Sequence, residues 1–241
     1  MPTAELTLTT PDGPMPAYEA TPDDAPRGGL VVIQEAFGVT AHIEDVCRRA
    51  AAAGWRSVAP ALFHRMGSPA FRYDDFDAVR PAMSQLRAGG IRTDLDATFT
   101  HLASVGLGGR RSAIVGFCMG GSVAFYAGVE RELGAAVTFY GGGIEGGRFG
   151  FPDQISEAPS LRSPWLGLYG DDDQSIPVAQ VERLREAAAG APVPTEVVRY
   201  AGAGHGFNCD DRPDNFNATA AKDGWERALR WFDRHVAAAE S

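Results

Sequence analysis

The stretch Ala113-Ile114-Val115-Gly116-Phe117-Cys118-Met119-Gly120-Gly121 constrains this chain more than any other. A short β-type run meets glycines two residues either side of a cysteine, and a small-residue helical run follows from Gly121 to Tyr126. Glycine at those places lets the backbone turn through a strained conformation and lets strand and helix approach closely, which a Cβ would obstruct. The pattern is a strand-to-helix elbow with a thiol at its apex. A helix N-terminus beneath the sulfur favours thiolate over thiol and offers free backbone N–H groups to an oxyanion. An isolated cysteine after an apolar strand is usually a small inert core residue. Bracketed by these glycines, Cys118 reads instead as a nucleophile.

The remaining segments fit a sheet around that elbow. Residues 4–9 alternate apolar and polar, and 15–19 follow the turn signal Pro11-Asp12-Gly13, which predicts an antiparallel hairpin at one sheet edge. Residues 28–34 form an unbroken β-branched run, apolar until Gln34, expected of a strand buried on both faces, and it ends at Glu35-Ala36-Phe37-Gly38. A helix is predicted over 42–53, closed by Gly54, and a strand over 55–60. An insertion rich in aromatics and arginine (Phe63, His64, Arg65, Phe71, Arg72, Tyr73, Phe76, Arg80) has the composition of a cap or pocket wall, in irregular or short helical context. A helix over 93–105 delivers the chain to the elbow. Beyond it come a strand at 135–140, a Gly- and Pro-rich active-site loop to 163, a strand at 164–170, a helix at 178–189 and a strand at 196–200. The closing helix, 219–236, puts Trp225, Leu229, Trp231 and Phe232 mostly on one face. This order predicts an α/β fold: a mostly parallel, doubly wound sheet with an N-terminal antiparallel hairpin, one domain over 1–241.

Bulk properties exclude several classes of function. A net charge of -9 argues against nucleic acid as a partner, because phosphate binding needs a basic face. No apolar run approaches membrane-spanning length, and the start, Met1-Pro2-Thr3-Ala4-Glu5-Leu6, has neither a basic region nor an apolar core, so a cytoplasmic location is expected. Three cysteines at unrelated spacings, Cys47, Cys118 and Cys209, give neither a disulfide framework nor zinc-finger spacing. No metal is expected, since the aspartate run lacks further oxygen donors at loop spacing.

In open α/β sheets reactive groups collect at the carboxyl ends of strands. Four candidates stand there: Glu35, Cys118, one of Asp171, Asp172 and Asp173, and His205 in the loop Gly202-Ala203-Gly204-His205-Gly206-Phe207. Nucleophile, acid and base thus follow the chain order of an α/β-hydrolase triad. In that chemistry a thiolate attacks a carbonyl, an imidazole moves protons, and an aspartate orients the ring. His42, His64, His101 and His235 lack such a context.

Gly116-Phe117-Cys118-Met119-Gly120-Gly121, Gln34-Glu35-Ala36-Phe37-Gly38, Gly170-Asp171-Asp172-Asp173-Gln174-Ser175-Ile176-Pro177 and Gly204-His205-Gly206-Phe207 together resemble the dienelactone hydrolase family. The resemblance spans about residues 4–236. It implies a triad of Cys118, Asp173 and His205, and a glutamate, Glu35, that contacts the resting thiol and helps to deprotonate it when substrate enters. The implied oxyanion donors are the backbone N–H groups of Ala36 and Met119. It further implies arginines that bind a substrate carboxylate, one of them four residues after the histidine. That place is Cys209 here, which cannot pair with a carboxylate. Arg72, Arg80, Arg148 and Arg212 are the alternatives, and Phe37, Tyr140 and Phe207 complete the candidate substrate contacts. The expectation is a cofactor-independent hydrolase of lactones or small esters acting as a monomer or homodimer. Two rival readings remain: a thiol-based redox or stress protein, and a catalytically silent hydrolase-fold binding protein.

Overall fold

The computed structural model describes residues 1–237. Its centre is one sheet of eight strands: β1 (Thr3–Thr10), β2 (Gly13–Ala20), β3 (Gly28–Ile33), β4 (Trp55–Pro60), β5 (Ser112–Phe117), β6 (Ala135–Phe139), β7 (Trp165–Gly170) and β8 (Thr195–Tyr200). They lie in the order β1-β2-β4-β3-β5-β6-β7-β8. β1 pairs antiparallel with β2 and β2 with β4, and every later pairing is parallel. The edge hairpin is therefore as the alternation predicts. Strands β3, β5, β6 and β7 are buried at every residue, which is why each reads as an unbroken apolar run.

Helices cover the sheet: α1 (Ala41–Ala52), α2 (Phe76–Gln85), α3 (Ala88–Ser104), α4 (Met119–Glu130), the single turn α5 (Gln154–Glu157), α6 (Val178–Ala188) and α7 (Ala218–His235). Helix α4 follows the elbow and is buried along eleven of its residues, from Met119 to Val129. It fits there because Ala and Gly let its backbone lie against β5 and β6.

Three elements differ from the sequence expectation. The insertion holds a full helix, α2, capped by the Asp75 carboxylate, which accepts from the Ala78 N–H. Pro81 inside it and a buried stripe of only Val79 and Ala82 leave little periodic signal. Helix α3 begins at Ala88 rather than Thr93, running through Gly89 and Gly90. Tertiary contact overrides the low propensity of that glycine pair: the Arg65 guanidinium packs where a Cβ on Gly90 would stand, 3.1 Å away. In α7 the buried spine is Ala220, Ala221, Gly224, Ala228, Trp231 and Phe232, while Trp225 and Leu229 flank it half-buried. Small residues on that spine bring the helix close to the sheet; a Cβ on Gly224 would stand 3.0 Å from the Phe139 ring.

Candidate active site

At the end of β5 the chain turns through Cys118, whose φ of 55° and ψ of -116° lie outside the regions favoured by L-residues. Close approach dictates the flanking glycines. A Cβ on Gly116 would stand 1.8 Å from the Gly120 carbonyl oxygen, and one on Gly120 would stand 2.5 Å from the carbonyl oxygens of Ile33 and Gln34. The Cys118 N–H donates to the Phe139 carbonyl at 3.1 Å, tying the apex to the end of β6. The amides of Met119, first in α4, and of Ala36, in the turn after β3, donate to no other backbone or side-chain acceptor among the described residues.

The turn after β3 is held from two sides. The buried Gln34 side chain accepts from the Leu62 N–H at 3.1 Å, and the Phe37 carbonyl accepts from the Phe71 N–H at 2.8 Å, so the insertion docks on this turn. Glu35 is 2% exposed, and its Oε1 accepts from the Tyr140 hydroxyl at 3.2 Å. The observed partner of the glutamate is thus a phenol; Glu35 and Cys118 still lie near enough for the carboxylate's charge to act on the thiol.

His205 follows β8 in the loop that the sequence marks. Its Nδ1 lies 2.7 Å from Asp173 Oδ2. Asp173 is buried, and its other oxygen accepts from the Ser175 Oγ at 2.7 Å, the Ser175 N–H at 2.8 Å and the Ile176 N–H at 3.2 Å. Burial alone would raise this carboxyl, but the His205 and Ser175 hydrogen bonds outweigh it and hold Asp173 below the usual carboxylate range. Its neighbours take no part: Asp171 pairs with Arg199 at 2.6 Å, and Asp172 is exposed. The Asn215 side-chain amide donates to the His205 carbonyl at 2.9 Å and fixes the loop. Ser175 and Asn215 are contacts that sequence reasoning missed; Ser175 stood inside the quoted Asp173–Pro177 motif, and Asn215 carried no local signal.

On its free side His205 faces Cys118. Burial pushes the thiol up, and the adjacent imidazole outweighs it through charge and hydrogen bonding; Glu35 opposes and Arg148 assists, leaving Cys118 below its ordinary value. Burial likewise pulls His205 down, and the charges and hydrogen bonds of Cys118 and Asp173 overcome it, so the imidazole stays protonated well above its ordinary range. Both shifts favour a thiolate beside an imidazolium.

The candidate substrate contacts divide. Phe37 packs edge-on against Tyr73 and Phe76, and the Arg212 guanidinium lies 5.2 Å from the Phe37 ring centre and 5.8 Å from that of Tyr73. Arg148, over the Phe149 ring, and Arg212 have no carboxylate partner among the described residues. Arg72 and Arg80 do not join them: their side chains are 82% and 79% exposed, and they pair with Asp74 and Asp77 on the surface. Short-range charge at the insertion's own aspartates wins over reach into the cleft. Phe207 is fully buried beneath Tyr140, Tyr200 and Phe139, a support for the loop. Cys209 is fully buried, its thiol pushed up to about 12 by burial and by Glu35. Among the described residues no group of three or more His, Cys, Asp or Glu side chains converges as a metal site, and no helix is long and apolar enough to cross a membrane.

A mostly parallel sheet with a cysteine elbow after β5 and a paired Asp173 and His205 after β7 and β8 defines an α/β-hydrolase fold. The chain belongs to the dienelactone hydrolase family, whose model matches residues 15–236. It is 39% identical over 229 residues to an Escherichia coli (strain K12) protein provisionally named a carboxymethylenebutenolidase, covering 92% of this chain and 83% of that one. A Yersinia pestis protein of the same provisional name is 37% identical over 235 residues, covering 96% and 88%. The crystal structure of a provisionally named dienelactone hydrolase from Klebsiella pneumoniae superposes with a TM-score of 0.89 at 36% identity, covering 97% of this chain and 98% of that one.

Proposed function

We propose that this protein, read as one hydrolase domain, opens lactones or cleaves small carboxylic esters through a thioester formed on Cys118. The observation that carries the reading is a thiol at a strained strand-to-helix apex facing an imidazole whose Nδ1 lies 2.7 Å from a buried carboxylate. The Cys118 thiolate attacks the substrate carbonyl carbon, and the resulting oxyanion takes hydrogen bonds from the Ala36 and Met119 amides. The acyl C–O bond breaks as the His205 imidazolium gives its Nε2 proton to the leaving alkoxide, which in a lactone stays attached to the acyl group. Water then attacks the thioester, losing a proton to His205, and the carboxylic acid product leaves as the thiolate re-forms. Asp173 orients the ring throughout and stabilises its charged form. The family resemblance gives Glu35 a part in deprotonating the thiol when substrate enters; in the resting arrangement its charge opposes the thiolate.

The family and the relatives' names support lactones as the substrate class. Arg212 and Arg148 are the two cations left to meet a substrate carboxylate. Replacing Cys118 by Ala is expected to abolish hydrolysis of p-nitrophenyl acetate and of dienelactone, and mass spectrometry of the wild type quenched in turnover is expected to show an acyl adduct on Cys118. Unchanged rates, or an adduct on another residue, would overturn the assignment.

A further inference from the structure

Gln34, the residue after β3, is a fully buried amide between an apolar strand and the turn that carries Ala36. A buried amide destabilises the fold unless its hydrogen bonds are made, and here both of its ends are used. Oε1 accepts from the Leu62 N–H at 3.1 Å, which fixes the orientation of the amide, and Nε2 donates to the Glu35 carbonyl at 3.3 Å. The Gly38 N–H reaches the same carbonyl at 3.4 Å across the turn. That carbonyl belongs to the same peptide unit as the Ala36 N–H. The unit is planar and trans, so its C=O and N–H point in opposite directions, and holding one aims the other. Hydrogen bonds accepted by the carbonyl also polarise the unit and make its N–H a stronger donor. The Gln34 backbone meets the other side of the site. A Cβ on Gly120 would stand 2.5 Å from the Gln34 carbonyl oxygen, so the first turn of α4, which carries the Met119 amide, packs directly on this residue.

We propose that Gln34 is a positioning residue for the oxyanion hole: its side-chain amide aims the Ala36 N–H from behind, and its backbone sets the spacing between that donor and Met119. This rests on the reading of Cys118 as the nucleophile with the Ala36 and Met119 amides as oxyanion donors, and it adds the group that holds one of them in place. The same amide joins the turn to the insertion through Leu62, so docking of the insertion and aim of the donor depend on one side chain. Gln34 carries no charge. A neutral replacement therefore leaves the charges about Cys118, those of His205, Glu35 and Arg148, as they are.

The test compares two reactions of the same thiol in the full chain, in wild type, Gln34→Met and Gln34→Asn. Acylation by p-nitrophenyl acetate passes through an oxyanion, whereas alkylation by iodoacetamide displaces iodide and forms none. Methionine is close to glutamine in shape and has no N–H to give; asparagine keeps a polar amide one methylene short of the carbonyl, so the result does not hang on one replacement folding. In both variants kcat and kcat/KM for the ester are expected to fall together by roughly tenfold, short of the ~10²–10³ that follows outright loss of an oxyanion donor. KM and the alkylation rate stay within about twofold of wild type, as expected when only the transition state loses an interaction. An unchanged kcat, a rise in KM alone, or an equal fall of both reactions in both variants would overturn the proposal while leaving Cys118 as the nucleophile. Ester hydrolysis that persists in Cys118→Ala would overturn both.

Discussion

At Cys118 the backbone stores strain that only its position repays. A non-glycine residue at φ of 55° costs about 1 kcal/mol or more, and here the apex is fixed by contacts that no relaxation can relieve. Cys118→Gly and Cys118→Ala both remove the thiol, but glycine accepts this conformation. The glycine variant is therefore expected to unfold in urea about 1 kcal/mol later than the alanine variant, with both inactive. Equal midpoints would mean that the elbow is unstrained. The three cysteines show how position decides chemistry. Cys47 and Cys209 are fully buried with thiols pushed up to about 12 by burial, whereas Cys118 lies beside a cation and goes the other way.

At the scale of elements, the candidate groups ride on strand ends, and the loops that carry them are pinned by side chains. The buried His42 of α1 lies 2.9 Å from Asp210, and Asn215 holds the His205 carbonyl, so the loop after β8 is tied to α1 at its middle and across to itself. Asn217 then starts α7, accepting from the Ala220 N–H at 3.1 Å and donating to the Gly202 carbonyl. Asn217→Ala should lower the unfolding free energy by about 1 kcal/mol in urea titration, the usual size of a lost N-cap. A loss near zero would show that packing of the spine, not the cap, fixes this helix start. Elements that bury a full face were legible: β3, β5, β6 and β7 announce themselves by composition. Helix α2 was not, because two buried residues and a proline leave no period to read.

For the whole molecule, the ion pair couples folding to pH. His205 is raised from 6.5 to about 10, so its stabilisation is present below 6.5 and lost as pH rises through about 10. Cys118 is lowered from 9.0, so its stabilisation is present above 9 and lost as pH falls through the folded value. From 6.5, or from the folded Cys118 value where that is higher, up to about 9 the folded pair and the unfolded chain each hold one proton, on the imidazole and on the thiol respectively, and the pair's contribution is flat. The unfolding free energy of wild type minus that of Cys118→Ala should therefore show a plateau that ends near pH 9 and shrink as pH rises from there through about 10. A difference constant from acid to alkali would mean that the pair is uncharged.

The sequence by itself determined what is local: the elbow and its thiol, the strands buried on both faces, the edge hairpin and a histidine in a glycine-rich loop after the last strand. Those follow from glycine sterics and from periodicity, which act within a few residues. Tertiary structure alone decided which distant groups meet. It placed Asp173, the aspartate that the family resemblance implied and local spacing left open among three, on His205, with Arg199 holding one neighbour and solvent the other. It turned Arg72 and Arg80 out to their own aspartates and gave Glu35 a tyrosine for a partner. Such pairings depend on burial and on which charges come within hydrogen-bond reach, and those are set only when the sheet brings strand ends far apart in sequence to one edge.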